Sequence, residues 1–133
     1  MHRRIPPFHR FFRSIHTTNV RAAERNRFFV YAPDYPNSVA HRYAVREAHL
    51  AGVKQPIETG VIPVAGMLAD PEQPKTKIGN EMRNNATGSV LIIEADTLEE
   101  ARQLIENDIY WKKGVWDKER VIIQPFFAAT PFP

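Results

Sequence analysis

The chain has 133 residues, 43% of them apolar and 25% charged, which is the balance of one globular domain. No stretch approaches the roughly 18 consecutive apolar residues of a membrane-spanning helix. The absence of cysteine excludes disulfides, thiolate metal sites and cysteine nucleophiles together.

The net charge of +3 is unevenly divided. Residues 1–23 hold five arginines and no acid, whereas the rest carries thirteen Lys and Arg against all fifteen Asp and Glu, a net of −2. The basic character therefore belongs to the leader, and the body lacks the electrostatic footprint of a nucleic-acid binder. The leader, rich in Arg, Phe, Ser and Thr, has the composition of a mitochondrial transit peptide. Pro6 and Pro7 confine any amphipathic helix to the part from Phe8 onward. Arg13-Ser-Ile15-His-Thr-Thr18 resembles a matrix-processing signal, placing cleavage near Ala22 or Ala23. The expectation is a matrix protein after leader removal, with a cytoplasmic protein bearing a basic tail as the alternative.

The body then reads in order. Arg27 to Ala32 is a short aromatic and β-branched run, a strand. Asp34-Tyr-Pro-Asn37 is a turn, and Asn37 or Ser38 caps a helix from about Val39 to Ala51, which Gly52 stops. Thr59 to Leu68 is a second strand, with Pro63 marking an edge or bulge. Residues 70–87 form a long polar loop of the kind that is functional or mobile. Gly88 to Glu94 is a third strand. Thr97 and Glu100 form a capping box opening a helix to about Asn107, with Leu98, Ala101, Leu104 and Ile105 on one face. Residues 108–117 are irregular, and Glu119 to Phe127 is the last strand.

This βαββαβ order is the ferredoxin-like, α+β arrangement. Two helices cover only one face of a four-stranded sheet. Yet Phe28-Phe-Val30, Val90-Leu-Ile-Ile93 and Val121-Ile-Ile123 are apolar on both faces, where a half-wet sheet should alternate. A second copy of the sheet is the economical cover, so a homodimer is expected.

The body resembles the YCII-related family of dimeric α+β barrel proteins. The matching pieces are Val30-Tyr-Ala-Pro-Asp34, Arg42-Tyr-Ala-Val-Arg46-Glu-Ala-His49-Leu50, Ala65-Gly66, Gly88-Ser89, Leu98-Glu-Glu-Ala101, Asp108-Ile-Tyr110 with Gly114-Val115, and Gln124-Pro125-Phe126. Ile109 and Met67 stand where the family usually has proline, and the 70–87 loop is expanded.

The residues narrow the chemistry. His41 and His49 are eight apart, about 12 Å along a helix, too far to share a metal. No metal site and no cofactor are expected: there is no GxGxxG and no P-loop. Arg42, Arg46 and His49 share one helix face. The resemblance implies a His–acid pair in a cleft between helix and sheet. His49 matches the histidine, and Asp34 an acid placed to meet it; Asp108 is a second candidate acid. A carboxylate that fixes the tautomer of an imidazole leaves its other nitrogen to take or give a proton near neutral pH. Arg46, Asp108, Tyr110 and Ser89 are the candidate substrate contacts, with Arg46 meeting an anionic group or holding Asp34. Ser89 as a nucleophile would need a base. His41 reads as a solvated helix residue, and Trp111 and Trp116 as packing.

Three functions compete. The first is a small cofactor-free enzyme of lyase, isomerase or hydrolase type acting on a small molecule through His49 and Asp34. The second is a non-catalytic dimeric module binding a metabolite or a protein. The third, an RNA-binding module of the same strand order, conflicts with the third strand: it carries neither the stacking aromatics nor the basic residues such a surface needs. No nucleic-acid or membrane partner is expected.

Overall fold

A computed structural model describes residues 25–133; the import leader expected in residues 1–23 lies outside them. The elements are β1 (Asn26–Pro33), α1 (Val39–Ala44), α2 (Arg46–Glu58), β2 (Val64–Ala69), β3 (Lys75–Ile78), β4 (Glu81–Asn84), β5 (Ala86–Ala95), α3 (Leu98–Glu106), α4 (Ile109–Lys112) and β6 (Ile122–Pro125). β2, β5, β1 and β6 form an antiparallel sheet in that order, and β3 pairs with β4 in a separate hairpin. The fold is ferredoxin-like α+β, as the sequence order implies. None of the described helices is long and apolar enough to cross a membrane.

Strand alternation decides which side chains meet the helices. Phe28, Val30 and Ala32 of β1 and Leu91, Ile93 and Ala95 of β5 point to the helix side, where they pack with Ala101 and Ile105 of α3, Tyr110 of α4, Val115 and Trp116. The opposite face is also apolar. It pairs Phe29 with Ile92 and Tyr31 with Val90, flanked by Val64 and Ile122, which are 38% and 43% exposed.

Four local expectations are corrected. The helix expected over 39–51 is interrupted at Val45 and runs on through Gly52 and Pro56 to Glu58. Hydrogen bonds from Val45 N–H to His41 O and from His49 N–H to Val45 O carry the helical spacing across the break. The second strand begins at Val64, so Pro63 precedes it. Residues 70–87 are largely the β3–β4 hairpin, whose two-residue turn uses Gly79 at a φ of 60°. The last strand is shortened to Ile122–Pro125. The capping interaction of α3 is present: Thr97 Oγ accepts from Glu100 N–H at 3.1 Å, while the Glu100 carboxylate reaches back to Asp96 N–H.

Candidate functional site

His49 sits on α2 with 14% of its side chain exposed, and Asp108 caps α4 with 6% exposed. His49 Nδ1 donates to Asp108 Oδ1 at 2.7 Å. The same oxygen accepts the Tyr110 backbone N–H at 2.8 Å, so the cap fixes the carboxylate that fixes the imidazole. A carboxylate only accepts here, which places a proton on Nδ1; in the neutral imidazole Nε2 then carries the lone pair. No side chain among the described residues bonds Nε2. The Tyr110 ring stacks on the imidazole at 3.8 Å between centroids, and Trp116 meets both rings edge-on. Burial pushes the Tyr110 phenol above its ordinary 10.0, opposed by Arg42 and Arg46 and reinforced by Asp108 and Asp34.

Asp34 is committed elsewhere. Its carboxylate accepts two bonds from Arg42 Nη1, at 2.7 and 2.9 Å, with both side chains 3% exposed. Burial pushes the Asp34 carboxyl upward and the Arg42 cation opposes this. Arg42 Nη2 also donates to Ser89 Oγ at 2.7 Å, and Trp116 Nε1 donates to the same oxygen at 3.3 Å. The backbone holds this cluster: Asp34 N–H bonds Thr87 O, and Asp34 bridges to Trp116. Gly88 makes the approach of β1 and β5 possible, since a Cβ there would sit 2.7 Å from Ala32 O. Gly114, at a φ of 69°, turns the chain after α4 so that Val115 and Trp116 enter the core.

These groups converge on a cavity of about 240 Å³ between α1–α2 and the sheet, which Arg42, Arg46, His49, Ser89, Tyr110 and Trp116 line together with Met67 and Leu91. A cavity of about 150 Å³ holds benzene, so this one suits a substituted single ring. Arg46 has no ion-pair partner among the described residues, so its cation is available to the cavity. A second, mainly apolar cavity of about 300 Å³ lies behind His49, with Asp108 in its wall. No group of three or more His, Cys, Asp or Glu side chains placed to hold a metal occurs among the described residues.

The YCII-related domain profile matches residues 26–126. The chain belongs to the YCII-related family. It is 30% identical over 105 residues to fusaric acid biosynthesis protein 2 of Gibberella moniliformis, covering 79% of this chain and 96% of that protein. It is 32% identical over 108 residues to an aspartate kinase of Fusarium oxysporum, but spans only 19% of that protein's length. Among solved structures it resembles a 5-chloro-2-hydroxyhydroquinone dehydrochlorinase of Burkholderia phenoliruptrix in complex with 2,5-dihydroxybenzoquinone. That match has a TM-score of 0.61 and 28% identity, and covers 76% of this chain and 93% of the other.

Two features of this YCII-related chain differ from the sequence expectation. His49 pairs with Asp108, not with Asp34, because α4 begins beside α2 whereas the end of β1 faces α1. Asp34 is held by Arg42, not Arg46, because Arg42 lies one turn nearer the 34–38 turn. Asp34 is thus set behind the cavity wall, and it is absent from the lining. Arg42 and Trp116 are cavity residues that the sequence reading assigned no site role. The spacing that put Arg42 on the His49 face was the available signal for the first. The Asp108-Ile-Tyr110 to Gly114-Val115 piece, running into Trp116, was the signal for the second. His41, read as solvated, ties α1 to α4 through a 2.6 Å bond between Nε2 and Lys113 O.

Proposed function

We propose that this protein is a cofactor-independent enzyme of lyase type, acting on a small hydroxylated ring with His49 as general base. The observation that carries the reading is the single free imidazole nitrogen, Nε2, on a ring immobilised by Asp108 and Tyr110 beside a cavity of single-ring size. Similarity to a dehydrochlorinase supports elimination over other proton-transfer chemistries. Loss of HCl from a chlorinated hydroxyhydroquinone leaves a hydroxyquinone. In the keto tautomer the chlorine-bearing carbon carries a hydrogen. Nε2 then takes a proton from a ring hydroxyl, the electron pair moves through the ring to complete a carbonyl, and chloride leaves with its bonding pair. The imidazolium is stabilised by Asp108 and returns its proton to solvent. Arg46 neutralises anionic charge on the bound ring. Asp34 acts only through Arg42.

The apolar outer face of the sheet, centred on Ile92, supports a homodimer in this reading, with two sheets packed face to face. The deciding experiment presents 5-chloro-2-hydroxyhydroquinone anaerobically to the full chain and to His49→Gln, following chloride release. Release by the wild type and a drop of about 10² to 10⁴-fold in the variant supports the mechanism. Binding without release supports the module reading instead.

A further inference from the structure

The serine at the inner end of the cavity has a constrained hydrogen-bond role. Ser89 Oγ accepts from two groups that only donate, the Arg42 guanidinium at 2.7 Å and the Trp116 indole at 3.3 Å. A hydroxyl has two lone pairs and one proton. Both lone pairs are engaged. The proton has no acceptor among the described residues, although Ser89 is only 6% exposed and lines the cavity.

We propose that Ser89 is a donor-only contact, and that this end of the cavity receives an oxygen bonded to an sp² carbon: a ring carbonyl, enolate or phenolate. The inference rests on the cavity being the substrate site and names the chemistry that site selects. Two donors draw electron density from Oγ, which makes the hydroxyl a poorer nucleophile and a better hydrogen-bond donor. Asp34 compensates the Arg42 charge, so the cluster presents a polarised O–H and not a net cation. That suits an oxygen whose negative charge grows as His49 withdraws a proton elsewhere on the ring. An ammonium group at this position, which only donates, would meet a donor with a donor and leave Ser89 unsatisfied. Nucleophilic catalysis by Ser89 is disfavoured on the same grounds, because none of its partners can take its proton.

The test uses 2,5-dihydroxybenzoquinone as the probe, with full-length wild type, Ser89→Ala, Ser89→Thr and His49→Gln, each checked for a cooperative melt. Calorimetry gives Kd, and infrared difference spectra give the carbonyl stretch of the bound probe. A bond from a polarised donor to a charged oxygen predicts at least tenfold weaker binding in Ser89→Ala, with Ser89→Thr close to wild type. The bound carbonyl band should lie lower in wild type and Ser89→Thr than in Ser89→Ala. In His49→Gln the band of the bound carbonyl should stay at its wild-type position, because that oxygen meets Ser89 and not the imidazole. Equal Kd and equal band position in wild type and Ser89→Ala overturn the donor assignment and leave the substrate-site reading intact. No binding to the folded wild type overturns both.

Discussion

His49 lies flat against Tyr110: the two rings are within 10° of parallel, with centroids 3.8 Å apart. Stacking blocks ring tilt, and the bond to Asp108 blocks rotation about the remaining torsion. The imidazole therefore presents one nitrogen in one direction, and it does so before any ligand arrives. Such preorganisation is what a general base requires.

Replacing His49 with Ala removes the base and also part of the wall that the two cavities share with Val53 and Leu91. Added imidazole should occupy the vacated slot and restore a measurable part of the turnover, whereas ethanol at the same concentration should not. A variant unresponsive to imidazole but well folded by circular dichroism would count against proton transfer at this position.

Asp108 serves a cap and an imidazole through one oxygen, and two substitutions separate these duties. Asp108→Asn keeps an acceptor for the Tyr110 N–H and should leave stability within about 1 kcal/mol, while kcat falls because the imidazolium loses its counter-charge. Asp108→Ala should lose a further ~1 kcal/mol of stability through the missing cap. Thermal melts and steady-state kinetics on the three proteins read both quantities.

Removing Arg42 strands a buried carboxylate. Arg42→Ala should cost about 3–5 kcal/mol in denaturant unfolding. Adding Asp34→Asn to that variant should recover part of the loss, because the stranded charge is gone. Equal stabilities of the single and double variants would mean that Asp34 is relieved by solvent.

Tyr110 supplies a pH signature. The phenol of an unfolded chain ionises near pH 10, whereas burial delays ionisation in the folded protein. In the window above pH 10 the folded state holds more protons than the unfolded one, so stability falls as pH rises through it; below that window the contribution is absent. Alkaline unfolding should be shallower in Tyr110→Phe. Its phenolate absorbance titration should lack the late component of the wild type.

The outer sheet face predicts association. Val64→Arg places a charge on that face without touching the cavity lining, and light scattering should give a homodimer for wild type and a monomer for the variant. A monomeric wild type at micromolar concentration would contradict the face-to-face reading.

Much of the fold was legible because alternation and strand order act over long segments. Phe28, Val30 and Ala32 could be assigned to one face from spacing alone. The β3–β4 hairpin was also written in the sequence, as Gly79-Asn80 between two four-residue runs, but polar strands with no core face look like loop. The candidate site was legible by residue more than by pairing. His49, Tyr110, Ser89, Arg46 and Asp108 all meet at the cavity or its wall. Which acid serves His49 depended on where α4 starts relative to α2, and that is set by tertiary packing. Arg42 was hidden by the ordinary expectation that helix arginines are solvated; its burial is dictated by Asp34 and Ser89, 8 and 47 residues away.

The bare backbone at Gly88 also has a consequence for how this scaffold can diversify. Ala32 O would lie 2.7 Å from any β-carbon there, so the gap between two neighbouring strands is set by a missing methyl group. That gap is the ruler against which the reach of Arg42 to the adjacent serine is measured. Descendants of this chain can exchange rim residues such as Met67 or Leu50 and retune what enters the chamber. Enlarging position 88 would shift the spacing of the polar cluster itself, and no change at the rim would restore it.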